Sequence, residues 1–254
     1  MPGGILNVDT GSFGRYPTKE QVFIASEWPV PTIANMTFPL DLAVRTARDV
    51  APATAGDMGY VVKTIVGETY GRDAIKPWRI AEEGGGKVRV VGWIDAELGV
   101  PVPKSRFASE IQVGFVPYEA RKDEEVLLDL IVAPTQKVEM PGGRVREIDI
   151  AELDKERGNL AIYADWLRRM LSKPDTGCLA TGLPTFVETS RDKGLRKRSD
   201  GQVRWIEFPR VHALQKVRVV NPRAFGRALV AGLGRQKAFG YGCMLPREVC
   251  DAVL

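Results

Sequence analysis

The stretch Gly232-Leu233-Gly234-Arg235-Gln236-Lys237-Ala238-Phe239-Gly240-Tyr241-Gly242 constrains this chain more than any other segment. Two G-x-G pairs bracket a basic turn, just after a helix-like segment and just before the apolar Met244-Leu245-Pro246. Glycine reaches positive φ without strain and admits a ligand or a second backbone where a Cβ would stand. Successive amides in such a loop form a concavity that attracts anions. Arg235 and Lys237 add charge suited to phosphate. The G-x-x-x-x-G-K-[ST] phosphate loop and the G-x-G-x-x-G dinucleotide turn both run from strand to helix. Here a helix leads through the loop into a strand, so a nucleotide cofactor is not expected. The ligand class that remains is a phosphate backbone.

Charge distribution points the same way. Net charge is only +4, but Ser190 to Arg247 holds 14 Lys or Arg against 3 Asp or Glu, and the rest holds 22 against 29. The last quarter thus carries about +11 and the remainder about −7. A basic region that spans several elements is the electrostatic footprint of a nucleic-acid binder.

Other chemistries lack their residues. One histidine, His212, excludes multi-histidine metal sites, and no metal is expected. His212 lies in the strand-like Pro209-Arg210-Val211-His212-Ala213, where it reads as a structural or pairing residue. Three scattered cysteines without a C-x-x-C pair argue against a disulfide framework and a structural zinc. No run of 18 apolar residues is present, so no membrane span is expected. The first 30 residues lack the pattern of a signal peptide, and the cytoplasm is the expected compartment.

A chain of 254 residues holds one large domain or two small ones. The first 30 residues read as an irregular extension or an added strand. Met36–Val44 alternates as a strand, and Pro39 suggests an edge position. Gly59–Val66 reads as a first helix capped by Asp57, with a strand as the alternative because of its β-branched residues. Lys87–Ile94 and Ile111–Val116 read as strands, and Glu119–Glu125 as a charged boundary. From residue 126 the order is strand (Val126–Val132), helix (Asn159–Leu171), strand (Thr185–Thr189), strand (Val211–Val220), helix after the cap pair Asn221-Pro222, and strand (Gly240–Leu245). That order is a ferredoxin-like βαββαβ unit. The expected fold is α+β: a domain at 1–120 with an extension, and a second ferredoxin-like domain at 121–254. The second carries a basic insert at 190–205 and the glycine-rich loop at 232–242.

The helix, the G-hydrophobic-G, the basic turn, the A-F-G-x-G and the apolar strand together resemble the C-terminus of the CRISPR-associated endoribonucleases that cut precursor CRISPR RNA. These belong to the RAMP superfamily of tandem ferredoxin-like domains, and the similarity is to their CasE-like branch. Val126 to Pro134 with Gln136-Lys137 and then Gly143-Arg144-Val145 resembles that branch's strand, basic pair and G-K-R-V. Ala164-Asp165-Trp166-Leu167-Arg168-Arg169 resembles its W-L helix, and Lys216 to Pro222 its last strand and proline. The resemblance covers roughly residues 120 to 247.

The resemblance implies attack of a 2′-hydroxyl on the adjacent phosphate, without metal or cofactor, giving a 2′,3′-cyclic phosphate and a 5′-hydroxyl. Such chemistry needs alignment, proton transfer and positive charge near the phosphorane. The branch carries a histidine on its first helix in a Y-x-x-H-like setting. The matching residues are Tyr60-Val61-Val62-Lys63, so Lys63 stands at the histidine position, and Tyr70-Gly71-Arg72 follows. Lys63, Tyr60 and Arg72 are the expected catalytic residues. Arg191, Lys193, Arg196, Lys197, Arg198 and Arg204, with Gly232, Gly234, Arg235, Lys237, Gly240 and Gly242, are the expected RNA contacts. The implied partners are a CRISPR repeat stem-loop and other subunits of an effector complex. The lysine at the histidine position leaves a second reading open, a non-catalytic guide-RNA-binding subunit. Of Phe239 and Tyr241, one is expected in the core.

Overall fold

The computed structural model describes residues 30–50, 57–71, 74–94, 107–197 and 203–249. Two antiparallel four-stranded sheets dominate them. The first holds β1 (Thr32–Pro39), β2 (Trp78–Gly84), β3 (Lys87–Ile94) and β4 (Gln112–Pro117) in the order β2-β3-β1-β4. Helices α1 (Leu40–Val50) and α2 (Met58–Tyr70) connect β1 to β2. The second sheet holds β5 (Glu125–Val132), β8 (Cys178–Lys197), β9 (Val203–Val219) and β10 (Cys243–Pro246) in the order β10-β5-β9-β8. Helix α3 (Asn159–Leu171) precedes β8 and α4 (Pro222–Ala231) precedes β10. A separate hairpin of β6 (Thr135–Met140) and β7 (Arg144–Asp149) follows β5. Both sheets place the first strand of the unit between the third and fourth, the ferredoxin-like order, and the fold is a tandem of that unit.

Local chemistry explains the helix starts. Asp57 accepts from the Tyr60 amide at 3.0 Å, so α2 begins where the cap predicts. Its β-branched residues are tolerated because Val61, Val62, Ile65 and Val66 form a buried face. Asn221 caps α4 through the Ala224 amide at 3.0 Å, and Pro222 fits its first turn.

The strand read at Met36–Val44 is corrected. β1 stops at Pro39, and Leu40 opens α1. Nor is β1 an edge strand, since it lies between β3 and β4. Pairing with β4 ends at Thr37, two residues short of Pro39, so the missing N–H costs no bond on that side. The basic insert between Thr189 and Val211 extends the two strands beyond the ends expected for them. β8 and β9 continue as one long hairpin to the pair Lys197–Val203.

The first sheet is covered on both faces. Ala34, Met36 and Phe38 of β1 pack with α1 and α2, while Ile33, Val91 and Trp93 join a core that includes Leu128, Leu130 and Leu245 of the second sheet. The Trp93 indole donates to the Met244 carbonyl at 2.8 Å, fixing β3 against β10. Residues near this seam form the site.

Candidate functional site

The glycine-rich loop closes on itself. The Leu233 amide donates to the Gly242 carbonyl at 2.8 Å, and the Gly242 amide to Ile131 at 2.7 Å. A Cβ on Gly242 would stand 2.3 Å from the Leu233 carbonyl oxygen, and φ is +77°, so no side chain fits there. Gly240, at φ +88°, sits over Trp78, whose ring would be 3.0 Å from an added Cβ. Gly234 lies as close to the Trp166 ring, and Gly232 to Pro77. The glycines therefore let the loop lie flat on two tryptophans, one from each unit. The amides of Gly232, Leu233, Phe239, Gly240 and Gly242 are taken by carbonyls. An anion that approaches the loop meets the basic turn at 234–238.

Lys237 is half-buried. Its Nζ donates to the Ala231 carbonyl at 2.5 Å, at the C-terminal end of α4 where a cation is favoured. Burial lowers its pKa, and the charge of nearby Lys76 lowers it further. Gln236 donates to Glu147 at 3.2 Å and so ties the turn to β7. Arg235 lies on the same turn, half-buried.

The N-terminal turn of α2 faces this loop. A Cβ on Gly59 would be 3.3 Å from the Phe239 carbonyl oxygen. One turn on, the Lys63 ammonium sits 5.3 Å from the Phe239 ring centre and 5.9 Å from that of Tyr60. Two aromatic faces attract a cation at these distances. The fold thus unites Lys63 and Tyr60 with the loop.

The long hairpin forms a third wall. On its inner face Phe208 meets Tyr241 edge to face at 5.1 Å, and Tyr241 donates to Asp192. Burial, with the bond to Asp192, pushes the Tyr241 hydroxyl well above its usual range. Tyr241 is the core aromatic, and Phe239 packs against it only partly buried. A Cβ on Gly194 would stand 3.8 Å from Asp57 Oδ2, so the hairpin passes beside the start of α2.

The basic residues divide. Arg191 lies 3.3 Å from Glu152 and 3.8 Å from Asp149, and Lys193 lies 3.3 Å from Glu207. Arg210 pairs with Glu188 and Asp192. Arg196 faces Arg204 across the ladder near the tip, beside Lys197. Arg72, Arg198 and the extension at 1–29 lie outside the described residues. His212 is a pairing residue, its Nε2 2.9 Å from Asp129 Oδ1. Among the described residues no group of three or more His, Cys, Asp or Glu could hold a metal, and no helix is long and apolar enough to cross a membrane.

Sequence reasoning missed three parts of this site. Trp78 and Trp166 form the floor of the loop, and Lys76 adds charge beside Lys237. Trp166 had a signal in the W-L helix; Trp78 and Lys76 had none, because their partners lie far away in the chain.

A family model described as "CRISPR associated protein" matches residues 73–247. The CRISPR endoribonuclease Cse3 bound to a 19-nucleotide RNA is similar in fold, with a TM-score of 0.58 at 16% identity, covering 84% of this chain and 98% of that one. Thermus thermophilus Cse3 bound to an RNA representing a pre-cleavage complex has a TM-score of 0.55 at 15% identity, covering 85% and 98%. A chain of a CRISPR RNA-guided surveillance complex, pre-nicking, has a TM-score of 0.57 at 14% identity, covering 84% and 98%. No curated protein matches the chain.

Proposed function

The chain belongs to the CRISPR-associated protein family, and on that premise we propose that it is an endoribonuclease that binds a CRISPR repeat stem-loop, cuts precursor CRISPR RNA and keeps the product. The carrying observation is the meeting of Lys63 with Phe239, which brings the helix residue at the expected catalytic position onto the basic glycine loop. We divide the chain at residues 120 and 121 into two ferredoxin-like halves, with the RNA lying across their junction. The structural relatives solved with RNA or within a surveillance complex support this reading, as does the basic excess of the last quarter.

The reaction needs no metal or cofactor. The 2′-hydroxyl gives up its proton to solvent water as its oxygen bonds to phosphorus. The bond from phosphorus to the 5′-oxygen breaks, and that oxygen takes a proton. A 2′,3′-cyclic phosphate and a 5′-hydroxyl result. Lys63, seated as a cation against two rings, stabilises the charge that grows on the phosphorane, and can donate to the leaving oxygen. The Tyr60 hydroxyl is positioned on the same helix turn to relay a proton. Arg235 and the turn at 234–238 hold the neighbouring backbone, and the tip cations of the hairpin track the stem, reading A-form shape more than sequence.

One observation favours a second reading. A lysine stands where the CasE-like branch has its histidine, and an ammonium is a poor base at neutral pH. On that reading the protein is a guide-RNA-binding subunit of a CRISPR effector complex and cuts nothing. Incubating the purified protein with its neighbouring repeat RNA, 5′-labelled, in excess EDTA separates the two. A single cut ending in a cyclic phosphate supports the endoribonuclease. Tight, salt-sensitive binding without a cut supports the subunit.

A further inference from the structure

The long hairpin has two faces of different character. Strand alternation turns Ile206 and Phe208 inward, where they pack with Tyr241. Trp205 and Glu207 then point outward, and Lys193, paired with Glu207 across the ladder, joins them. Trp205 is 50% exposed, whereas Trp78, Trp93 and Trp166 are buried. Half of this large apolar ring is open to water. It borders an open depression of about 560 Å³, lined among the described residues by Lys193, Trp205, Ile206 and Glu207. That is room for a small planar ligand.

The surroundings select the ligand class. By strand alternation Arg191 and Lys193 fall on the same face of the ribbon as Trp205. Aromatics interleaved with cations bind single-stranded nucleic acid, rings stacking on bases and cations on phosphates. A base inside a helix has both faces covered by its neighbours, so an indole on the side of a hairpin stacks most readily on an unpaired base splayed out from the strand. The Lys193–Glu207 pair is exposed on both sides, 67% and 50%, so it is weakly held and readily exchanged for a phosphate.

We propose that Trp205 is the stacking platform for one unpaired nucleobase of the bound RNA, with Lys193 on the phosphate beside it. This rests on the RNA-binding reading above and adds to it a single-stranded subsite, distinct from the glycine loop and from the stem-tracking cations. The test measures affinity of the wild type, Trp205→Ala, Trp205→Leu and Trp205→Phe for the repeat RNA. The same series is repeated with RNAs carrying one abasic site at each unpaired position. Equal unfolding midpoints control for the fold. Trp205→Ala and Trp205→Leu are expected to weaken binding by about tenfold, with Trp205→Phe retaining most of it. One abasic position should cost the wild type the same factor and cost Trp205→Ala nothing further. Equal affinities for all four proteins overturn the stacking proposal alone, as does a loss that couples to no single position. A wild type that binds no RNA overturns both this proposal and the reading beneath it.

Discussion

Arg79 and Asp129 face each other across the boundary between the two sheets, Nη1 to Oδ1 at 2.6 Å, with side chains only 6% and 4% exposed. Asp129 also accepts from His212 at 2.9 Å, and Arg247 approaches its other oxygen at 3.5 Å. Burial alone would raise the Asp129 pKa. The hydrogen bonds from His212 and Arg79 and the charge of Arg79 outweigh it and hold the carboxyl well below the usual carboxylate range. Removing Arg79 leaves the buried Asp129 charge with only His212 and the half-exposed Arg247, so Arg79→Met should cost about 3 kcal/mol of stability in urea unfolding.

The same carboxylate gives a pH dependence with a definite sign. Its folded pKa is depressed, so its contribution is complete above the ordinary value of 3.8 and is lost as pH falls toward the folded one. Unfolding midpoints should fall as pH drops below about 4, and an Asp129→Asn variant should show a shallower fall. A wild type and variant with parallel profiles would remove Asp129 from the acid response.

Gly242→Ala tests the loop's closure rather than its ligand. The new Cβ would overlap the Leu233 carbonyl oxygen in a left-handed backbone, so a loss of about 2–4 kcal/mol is expected by thermal unfolding. Gly234→Ala meets only the edge of the Trp166 ring, at 3.0 Å, and should cost less. A reversed order would contradict the packing described for the loop.

Lys63→Ala should lower the single-turnover cleavage rate by about 100-fold while leaving RNA affinity within about threefold. Lys63→Arg should recover part of the rate, because it keeps the cation but not the geometry. Affinity and cleavage falling together would make Lys63 a binding residue only.

Salt dependence distinguishes the two kinds of hairpin cation. Neutralising Arg196, Lys197 and Arg198 together should reduce the slope of log affinity against log salt by about 2. Arg210→Gln should leave the slope unchanged, because Arg210 is already paired with Glu188 and Asp192.

Much of this architecture was legible from local signals. Asp57 and Asn221 announced α2 and α4 because a cap is a contact over three residues. The second βαββαβ order could be read because its strands and helices alternate in period. The start of α1 was missed because Leu40-Asp41-Leu42-Ala43-Val44 continues the alternation of β1 past Pro39. The hairpin's length was missed because cations and Gly194 interrupt its apolar pattern, while the ladder holds it by backbone bonds. In the site, Lys63 and the loop were legible separately. Their meeting was not, since only the shared core brings Phe239 to α2.

That shared core has a mechanical consequence. With Trp93 bonded to Met244 and Arg79 to Asp129, the walls on either side of the seam are welded rather than hinged. The surface that crosses this seam is therefore set once, when the chain folds, and its shape needs no closing stroke to be complete.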